Sequence, residues 1–332
     1  MTLAPICIFS YNRPNHLRRV LDALSKNDLA SESVLFIFCD GAKPLQTDAD
    51  KDSDEVTTSA KRFFKGTETE YEKYISDIED NIKAAQSATG FKDVHIIIRP
   101  QNIGLKDNIV SAVTEVVNKY GRIITLEDDI ITSKGFLRYM NDALEVYKDE
   151  EKVMYVCGYM FPVKHEKYLP DTFFHPVPYP GGGWATWARA WKYYDDDISS
   201  HYLYWRNNWK LFNVWGPDLQ KQLTMNYESK LRTWFIRWYA SMHKLEGLAL
   251  YPHHSLTTNI GFDGTGSNCV ALIKNKYWVD SIEDYVPVSR IKKLRPNKLA
   301  VYDMYVFWSG HWYSKRHRTV WIHKIRSMIS IK

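Results

Sequence analysis

Four short runs of apolar residues constrain the fold of this chain more than any other feature. Each run is nearly unbroken and is followed by polar residues, and the pattern after the first run is helical, with apolar residues at 17, 20, 21 and 24. Strands with continuous apolar runs are covered on both faces, as in parallel sheets flanked by helices. We therefore predict a Rossmann-like α/β fold with a mainly parallel central sheet, whose strands lie at residues 5–9, 34–39, 94–98 and 121–126.

Polar side chains follow these strands at the points where each one ends. Arg13 comes after the first strand, Asp40 after the second and Asn102 after the third, and the fourth strand runs straight into an acidic triplet at residues 127–129. The carboxyl ends of parallel strands meet at one edge of a sheet, where α/β proteins bind their ligands. The sequence therefore predicts a ligand site at this edge.

The acidic triplet consists of Glu127, Asp128 and Asp129, and two isoleucines follow it. A hard cation such as Mg²⁺ or Mn²⁺ takes carboxylate and phosphate oxygens together, so one or two carboxylates can hold it against a diphosphate. Acidic triplets are also common on solvated loops. The apolar flanks favour a functional interpretation here, since half-buried charges cost stability unless something compensates them. A second triplet, at residues 195–197, follows no apolar strand and is interpreted as a helix cap or a solvent-facing run.

Cysteine usage and the N-terminal sequence bear on the cellular compartment. The four cysteines are widely separated and form no Cys-x-x-Cys pair, which predicts a reduced, cytoplasmic chain without structural zinc. The first residues show no basic stretch followed by an apolar core, so we expect no signal peptide. Apolar runs also stay well below the roughly 18 residues of a membrane-spanning helix.

Positive charge is concentrated at the C-terminal end. Residues 289–332 contain eleven Lys and Arg against one acid, so this segment carries +10 and the rest of the chain −5. Aromatic and basic residues alternate between 302 and 321, and residues 321–329 suit a helix. We expect a basic helical tail that attaches peripherally to an anionic inner membrane face; a basic helix docked on the acidic body is the alternative. Nucleic acid is not an expected partner, because no reader motif accompanies the charge.

Five motifs occur in order along the chain. They are Ile-Cys-Ile-Phe-Ser-Tyr-Asn-Arg-Pro at 6–14, Phe-Cys-Asp-Gly at 38–41, Asn-Ile-Gly-Leu at 102–105, Leu-Glu-Asp-Asp-Ile at 126–130 and Gly-Gly-Trp-Ala-Thr-Trp at 182–187. Together they resemble those of GT-A-fold glycosyltransferases. The chain looks like a bacterial family 2-type enzyme and is similar to the N-acetylglucosaminyltransferase that begins complex N-glycan synthesis, whose metal motif is also Glu-Asp-Asp. The resemblance covers roughly residues 3–270 and implies a GT-A catalytic domain at 1–288, with a nucleotide-sugar-binding half at 1–140 and an acceptor half at 141–288.

The resemblance also implies roles for the residues at matching positions. Arg13 and Asp40 would contact the nucleotide, with Asp40 at the base. Asn102 and Lys106 would lie near the base or the phosphates. Asp129 would bind the metal directly.

Further roles follow for the rest of the acidic triplet and for the Gly-Gly-Trp motif. Glu127 and Asp128 would contact the ribose or the donor sugar. Gly182, Gly183 and Trp184 would shape the donor-sugar and acceptor pocket, since glycine lets the backbone approach a ligand closely. A tight turn is the simpler explanation for the glycines.

The catalytic base is where the resemblance fails. An inverting transferase needs a carboxylate that deprotonates the acceptor hydroxyl. Relatives place an acid in the helical stretch after the Gly-Trp motif, but residues 232–238 contain none. Asp263 and Glu228 are the nearest candidates, and we favour Asp263 because a Gly-flanked acid on a loop can close over a donor. An acid that caps a turn is the alternative for Asp263.

These observations predict a metal-dependent glycosyltransferase that uses Mn²⁺ or Mg²⁺. It would move a hexose or N-acetylhexosamine, with inversion, from a nucleotide-sugar such as a UDP-sugar to a hydroxyl of a cell-surface glycan or lipid-linked acceptor. A sugar nucleotidyltransferase is one alternative, although the loop at residues 10–14 lacks the glycines that such an enzyme is expected to carry. A catalytically inactive glycan- or membrane-binding module on the same fold is another.

Overall fold

The computed structural model describes residues 2–46, 63–213, 216, 218–264, 277, 279 and 281–309. The strands in this part of the chain are β1 (Ile6–Ser10), β2 (Val34–Cys39), β3 (Asp93–Ile98), β4 (Arg122–Glu127), β5 (Ile130–Thr132), β6 (Val153–Cys157), β7 (Thr172–His175), β8 (Trp184–Trp187), β9 (Leu248–Pro252) and β10 (Thr257–Asn259). The α-helices are α1 (Pro14–Ser25), α2 (Glu68–Gln86), α3 (Gly104–Tyr120), α4 (Phe136–Val146), α5 (Ala188–Trp191), α6 (Ile198–Trp205), α7 (Trp209–Phe212), α8 (Leu219–Tyr227), α9 (Phe235–Lys244) and α10 (Lys298–Ser309).

Eight of these strands form one central sheet in the order β3-β2-β1-β4-β8-β6-β9-β7. β1 lies between β2 and β4 and is parallel to both, and β2 is parallel to β3. β8 is antiparallel to both of its neighbours, and the edge strand β7 is antiparallel to β9. The predicted α/β fold with a mainly parallel central sheet is therefore confirmed.

Helices cover both faces of the sheet, as the continuous apolar strands require. α1, α2 and α4 contribute to one apolar core, and α3, α9 and α10 contribute to the other. α1 buries its predicted apolar face and begins at Pro14, whose fixed φ and missing N–H suit the first turn of a helix. α3 ends at Gly121, which adopts the left-handed conformation with φ 78°.

A second, small sheet determines where the later loop lies. β10 pairs antiparallel with β5, the short strand that follows the acidic triplet directly. Asn259 lies opposite Ile130, and the amide of Ile260 donates to the carbonyl of Asp129 at 2.9 Å. The loop that follows Asn259 therefore begins beside the triplet, although more than a hundred residues separate them in sequence.

The described part of the predicted basic tail is docked on the body of the protein. The Tyr147 hydroxyl donates to the Ser289 carbonyl and accepts from the Ile291 amide, both at 3.0 Å. On α10, Asp303 Oδ1 lies 2.8 Å from His165 Nδ1. Docking of this kind is the alternative that the sequence left open for the tail.

Residues 310–332, which include the predicted helix at 321–329, lie outside the described residues. Within the described part of the chain, no helix is both long and apolar enough to cross a lipid bilayer.

Candidate active site

Arg13 joins the two aspartates of the acidic triplet. Its Nη2 atom is paired with Oδ1 of Asp128 and lies 3.0 Å from Oδ2 of Asp129. All three side chains are largely buried, with exposed fractions of 16%, 4% and 9% respectively. The loop after β1 and the loop after β4 start at the same edge of the sheet because these strands are adjacent and parallel. Both motifs therefore lie together at the predicted edge.

The triplet carries more negative charge than Arg13 can balance. Burial raises the pKa of Glu127 to about 8, and the charges of Asp129 and Asp128 add to the shift while Arg13 opposes it. Burial also raises the pKa of Asp128 to about 6 in spite of its pairing with Arg13. Raised pKa values show that the carboxylates are destabilised in their charged form. An additional cation at this edge would relieve that cost.

Buried polar atoms without partners lie at the same place. Asp129 Oδ1 and Arg13 Nη1 have no hydrogen-bond partner within the described residues. Thr258 Oγ1, on the neighbouring strand β10, is also unpaired there. Buried polar groups are normally satisfied, and clustered exceptions call for an explanation such as a ligand.

The donor set fits a hard divalent cation that is shared with a substrate. The described residues include no group of three or more His, Cys, Asp or Glu side chains arranged to hold a metal. Mg²⁺ and its analogues are commonly held by only one or two carboxylates together with substrate phosphates. Asp129, with its unpaired Oδ1, has the chemistry for such a site.

The loop after β10 closes against this pair of charges. A Cβ atom at Gly261 would lie 2.2 Å from Asp129 Oδ2 and 3.0 Å from Arg13 Nη1, so only glycine fits without displacing them. Two residues later, Asp263 Oδ2 lies 3.1 Å from Nε2 of His16, in the first turn of α1. The structure thus brings Asp263, the favoured candidate base, to the edge that carries the triplet.

His16 is a member of the site that the sequence interpretation missed. It stands three residues after Arg13, so the two side chains share one side of the first turn of α1. The charge of His16 lowers the pKa of Asp128, which places the imidazole within electrostatic reach of the triplet. A search for polar residues in the first turn of the helix after β1 would have found it.

Two further polar side chains, Ser10 and Asn81, lie next to Asp128. Ser10 Oγ donates to Asn81 Oδ1 at 2.8 Å and lies 3.5 Å from Asp128 Oδ2. Asn81 is fully buried on α2, and its Nδ2 has no partner within the described residues. No sequence motif pointed to Asn81, because a single Asn in a charged helix reads as a surface residue.

Asp40 and Asn102 meet each other, as their positions after neighbouring strands predict. Asn102 Nδ2 donates to Asp40 Oδ2 at 2.9 Å, and the amides of Gly41, Ile103 and Gly104 donate to the same carboxylate at 3.0 Å each. Burial raises the pKa of Asp40, and the backbone hydrogen bonds oppose that shift. Asp40 therefore holds the start of α3, and its contact with a nucleotide base stays a prediction.

Lys106, in the first turn of α3, forms ion pairs with acidic side chains. Its Nζ is 2.6 Å from Asp196 Oδ2 and 3.1 Å from Asp107 Oδ1, and only 6% of its side chain is exposed. Asp196 also pairs with Arg237 at 3.1 Å. The predicted proximity of Lys106 to a base or phosphate is untested, and in this structure its charge is already balanced.

The Gly-Gly-Trp motif packs inside the protein. Gly183 has φ 70°, and a Cβ atom there would lie 2.8 Å from Leu126 Cδ2, next to the triplet. Trp184 is 3% exposed and stacks on Tyr155 and Trp234 with ring centroids 5.1 and 5.0 Å apart. The glycines therefore allow close packing on β4, and a contact of Trp184 with a donor sugar stays a prediction.

Glu228, the second candidate base, lies at the C-terminal end of α8 and is exposed. Its carboxylate pairs with Lys230 at 2.8 Å. The contacts found for it are local, whereas Asp263 contacts α1 beside the triplet. The geometry therefore favours Asp263 over Glu228.

Comparisons with known proteins give only distant similarities. No protein-family model and no curated protein matches the chain. Among solved structures, it is similar to S. aureus TarS, with 13% identity, 47% of this chain and 22% of that chain covered, and a TM-score of 0.26. It is also similar to mouse xyloside xylosyltransferase 1 in its apo form, with 11% identity, 73% of this chain and 82% of that chain covered, and a TM-score of 0.34. A third similar structure is UDP-glucose pyrophosphorylase complexed with UDP-glucose, with 9% identity, 75% of this chain and 90% of that chain covered, and a TM-score of 0.32.

The chain thus spans less than a quarter of the length of TarS. Similarities at this level do not distinguish one activity from another, so the function is inferred below from the residues of the site.

Proposed function

We propose that this chain is a glycosyltransferase that transfers a sugar from a nucleotide-sugar donor to an acceptor hydroxyl. One observation carries the proposal: carboxylates are in excess at the carboxyl end of β4, next to Arg13 after β1. Among the described residues, Asp129 Oδ1 and Arg13 Nη1 have no hydrogen-bond partner. A cation-bound diphosphate supplies what both atoms lack, because the cation takes the carboxylate oxygen and the phosphate takes the N–H groups.

Each residue of the site then has a task. Asp129 holds the divalent cation, Mn²⁺ or Mg²⁺, together with the donor phosphates, and Arg13 donates to the diphosphate. The cation, when bound, stabilises the nucleoside diphosphate as it departs. Glu127 and Asp128 lie beside the donor ribose or sugar.

Asp263 is the proposed base of an inverting transfer. It accepts the proton of the acceptor hydroxyl, and His16 Nε2, on α1, lies 3.1 Å from its carboxylate. Gly261 has no side chain, so this loop can pack on the Arg13–Asp129 pair. In this position of residues 259–263, the proposed base lies at the edge of the sheet that carries the donor site.

The proposed donor is a UDP-linked hexose or N-acetylhexosamine, and the proposed acceptor is a hydroxyl of a cell-surface glycan or a lipid-linked glycan. Peripheral attachment of the C-terminal tail to the inner membrane face is part of the same proposal. Full-length protein should float with anionic liposomes more than protein that ends at residue 309. Equal flotation of both would remove membrane attachment from the proposal.

Calorimetry of UDP binding tests the donor site. We expect UDP to bind in the presence of Mn²⁺, and Asp129→Asn to weaken that binding about 100-fold, since the variant removes a metal-ligating charge. Asp197→Asn is the matched control, because it makes the same substitution in the other acidic triplet, where Asn caps a helix equally well. Loss of binding in both variants, or in neither, would contradict the assignment.

Kinetics separates the two candidate bases. Asp263→Asn should lower kcat by a factor of about 100 to 10,000 and leave Mn²⁺-dependent UDP binding intact, as expected for loss of general-base catalysis. Glu228→Gln, which changes an exposed acid on α8, should leave kcat within about twofold. The opposite result would assign the base to Glu228.

Two other functions predict different results. A sugar nucleotidyltransferase would consume a sugar phosphate and a nucleoside triphosphate, and would release pyrophosphate when supplied with both. An inactive glycan-binding module would bind glycans without metal and without UDP. A donor-hydrolysis screen across nucleotide-sugars with Mn²⁺ present distinguishes these activities and identifies the donor.

A further inference from the structure

A cleft of about 410 Å³ lies at the far edge of the central sheet, on the outer side of β7. The edge strand contributes Thr172, Phe173 and Phe174, the two residues before it contribute Pro170 and Asp171, and the chain segment 289–298 contributes the remaining wall. This segment contains five basic residues and no acid. The donor site proposed above lies at β1 and β4, several strands away.

The segment is anchored at both ends, and three of its five basic residues line the cleft. At one end, Tyr147 holds the backbone of Ser289 and Ile291 at 3.0 Å. At the other end, the amide of Asn297 donates to the carbonyl of Phe174 at 2.8 Å. Ile291 and Leu294, between these anchors, pack against the core and hold the segment in place.

Three basic side chains line this cleft. Lys293, Arg295 and Lys298 are all lining residues, and none has an ion pair with a described residue. The amide of Arg295 donates to the carbonyl of Lys293 at 2.9 Å, a tight turn that curls the backbone between the two side chains. Asp171 also lines the cleft, so the three positive charges exceed the negative charge there by two.

We propose that this cleft binds a phosphate or diphosphate group that is attached to a larger molecule. Two or more basic side chains around one concave space suit a phosphate, and the prolines, Ile291 and the phenylalanines add apolar surface. The volume exceeds that of one phosphate and accommodates part of an attached sugar or alkyl chain. If the glycosyltransferase function holds, this is where a phosphate-bearing acceptor is held.

Binding of inorganic pyrophosphate and of vesicles tests the cleft. The variant K293E/R295E/K298E should bind pyrophosphate at least about tenfold more weakly than native protein at low salt, and the binding of native protein should weaken as salt rises. The matched control K119E/K167E/K192E reverses three other exposed lysines and should bind like native protein. Unchanged UDP binding in both variants would show that the donor site is unaffected, whatever its function.

Vesicles identify the source of the phosphate. Flotation with phosphatidic acid vesicles, and not with phosphatidylcholine vesicles, that is lost only in the cleft variant assigns the cleft to a lipid phosphate. Pyrophosphate binding without flotation assigns it to a soluble phosphate ligand. The proposal is overturned if native protein binds neither probe, or if the cleft variant and the control lose binding equally.

Discussion

The chain contains two acidic triplets of nearly the same composition, and the protein uses them in opposite ways. The triplet 127–129 ends a buried strand, and its two aspartates are 4% and 9% exposed. The triplet 195–197 precedes α6, and Asp195 and Asp196 are 43% and 53% exposed. Sequence composition alone would rank the second, with three aspartates, as the better metal site.

The partners of the two triplets explain the difference. In the triplet 195–197, Asp197 caps α6 by accepting from two amides, and Asp196 pairs with Lys106 and Arg237. In the triplet 127–129, one guanidinium pairs with two aspartates, and no hydrogen bond or ion pair to the Glu127 side chain is found within the described residues. The feature that distinguishes the site is therefore buried negative charge that its cationic partners do not balance. The number of acidic residues does not distinguish it.

Removal of Arg13 should produce the largest change. Arg13→Ala leaves two buried carboxylates without a cation and should lower the free energy of unfolding by about 3 kcal/mol, measured by urea denaturation. Addition of Mn²⁺ should then raise the Tm of the variant more than that of native protein, because the cation replaces the lost charge.

Arg122→Ala is the control for this comparison. Arg122 lies on β4, the strand that ends in the triplet, but its pair with Glu145 is 3.2 Å long and more exposed, so its loss should cost no more than about 1 kcal/mol. If both variants lose the same free energy, or if Mn²⁺ stabilises both alike, the triplet 127–129 has no surplus charge to relieve.

The pH dependence of stability tests Glu127. Its pKa is about 8 in the folded protein and 4.5 ordinarily, so between these values the folded protein holds a proton that the unfolded chain releases. The free energy of unfolding therefore falls as the pH rises from about 4.5 to about 8. Glu127→Gln should be more stable than native protein by about 2 kcal/mol at pH 8.5, allowing for partial exposure, and equal to it near pH 4.5.

Urea denaturation in the presence of EDTA, at a series of pH values, measures this difference. Glu228→Gln removes an exposed carboxylate that is paired with Lys230 and should give a curve parallel to that of native protein. If the free energy of unfolding of Glu127→Gln also runs parallel to that of native protein as the pH changes, the folded protein does not destabilise the charged form of Glu127.

The parallel half of the fold could be predicted because its signals are local. Residues 6–10 and 122–127 are apolar runs that end in polar residues, and parallel neighbours bring those ends to one edge whatever the rest of the chain does. The position of Arg13 beside the triplet follows from the same rule. These features need no knowledge of distant contacts.

The rest of the site depends on long-range pairing that the sequence does not display. β10 is only three residues long, yet its pairing with β5 carries Asp263 to the triplet. Lys106 shows the reverse case, because its partner Asp196 is ninety residues away in sequence and its ion pair with Lys106 already balances the charge of a plausible phosphate ligand. Asn81 was missed since its burial depends on how α2 packs on β1.

The smallest expected effect concerns the helix cap in the triplet 195–197. Asp197 Oδ1 accepts from the amides of Ser199 and Ser200 at 2.9 and 3.1 Å, so Asp197→Ala should lower the free energy of unfolding by about 1 kcal/mol. Asp197→Asn should restore most of that loss, because Asn caps as well as Asp. Both variants should bind UDP with Mn²⁺ as native protein does. If Asp197→Ala instead abolished UDP binding at unchanged stability, while Asp129→Asn bound normally, the roles of the two triplets would be the reverse of those assigned here.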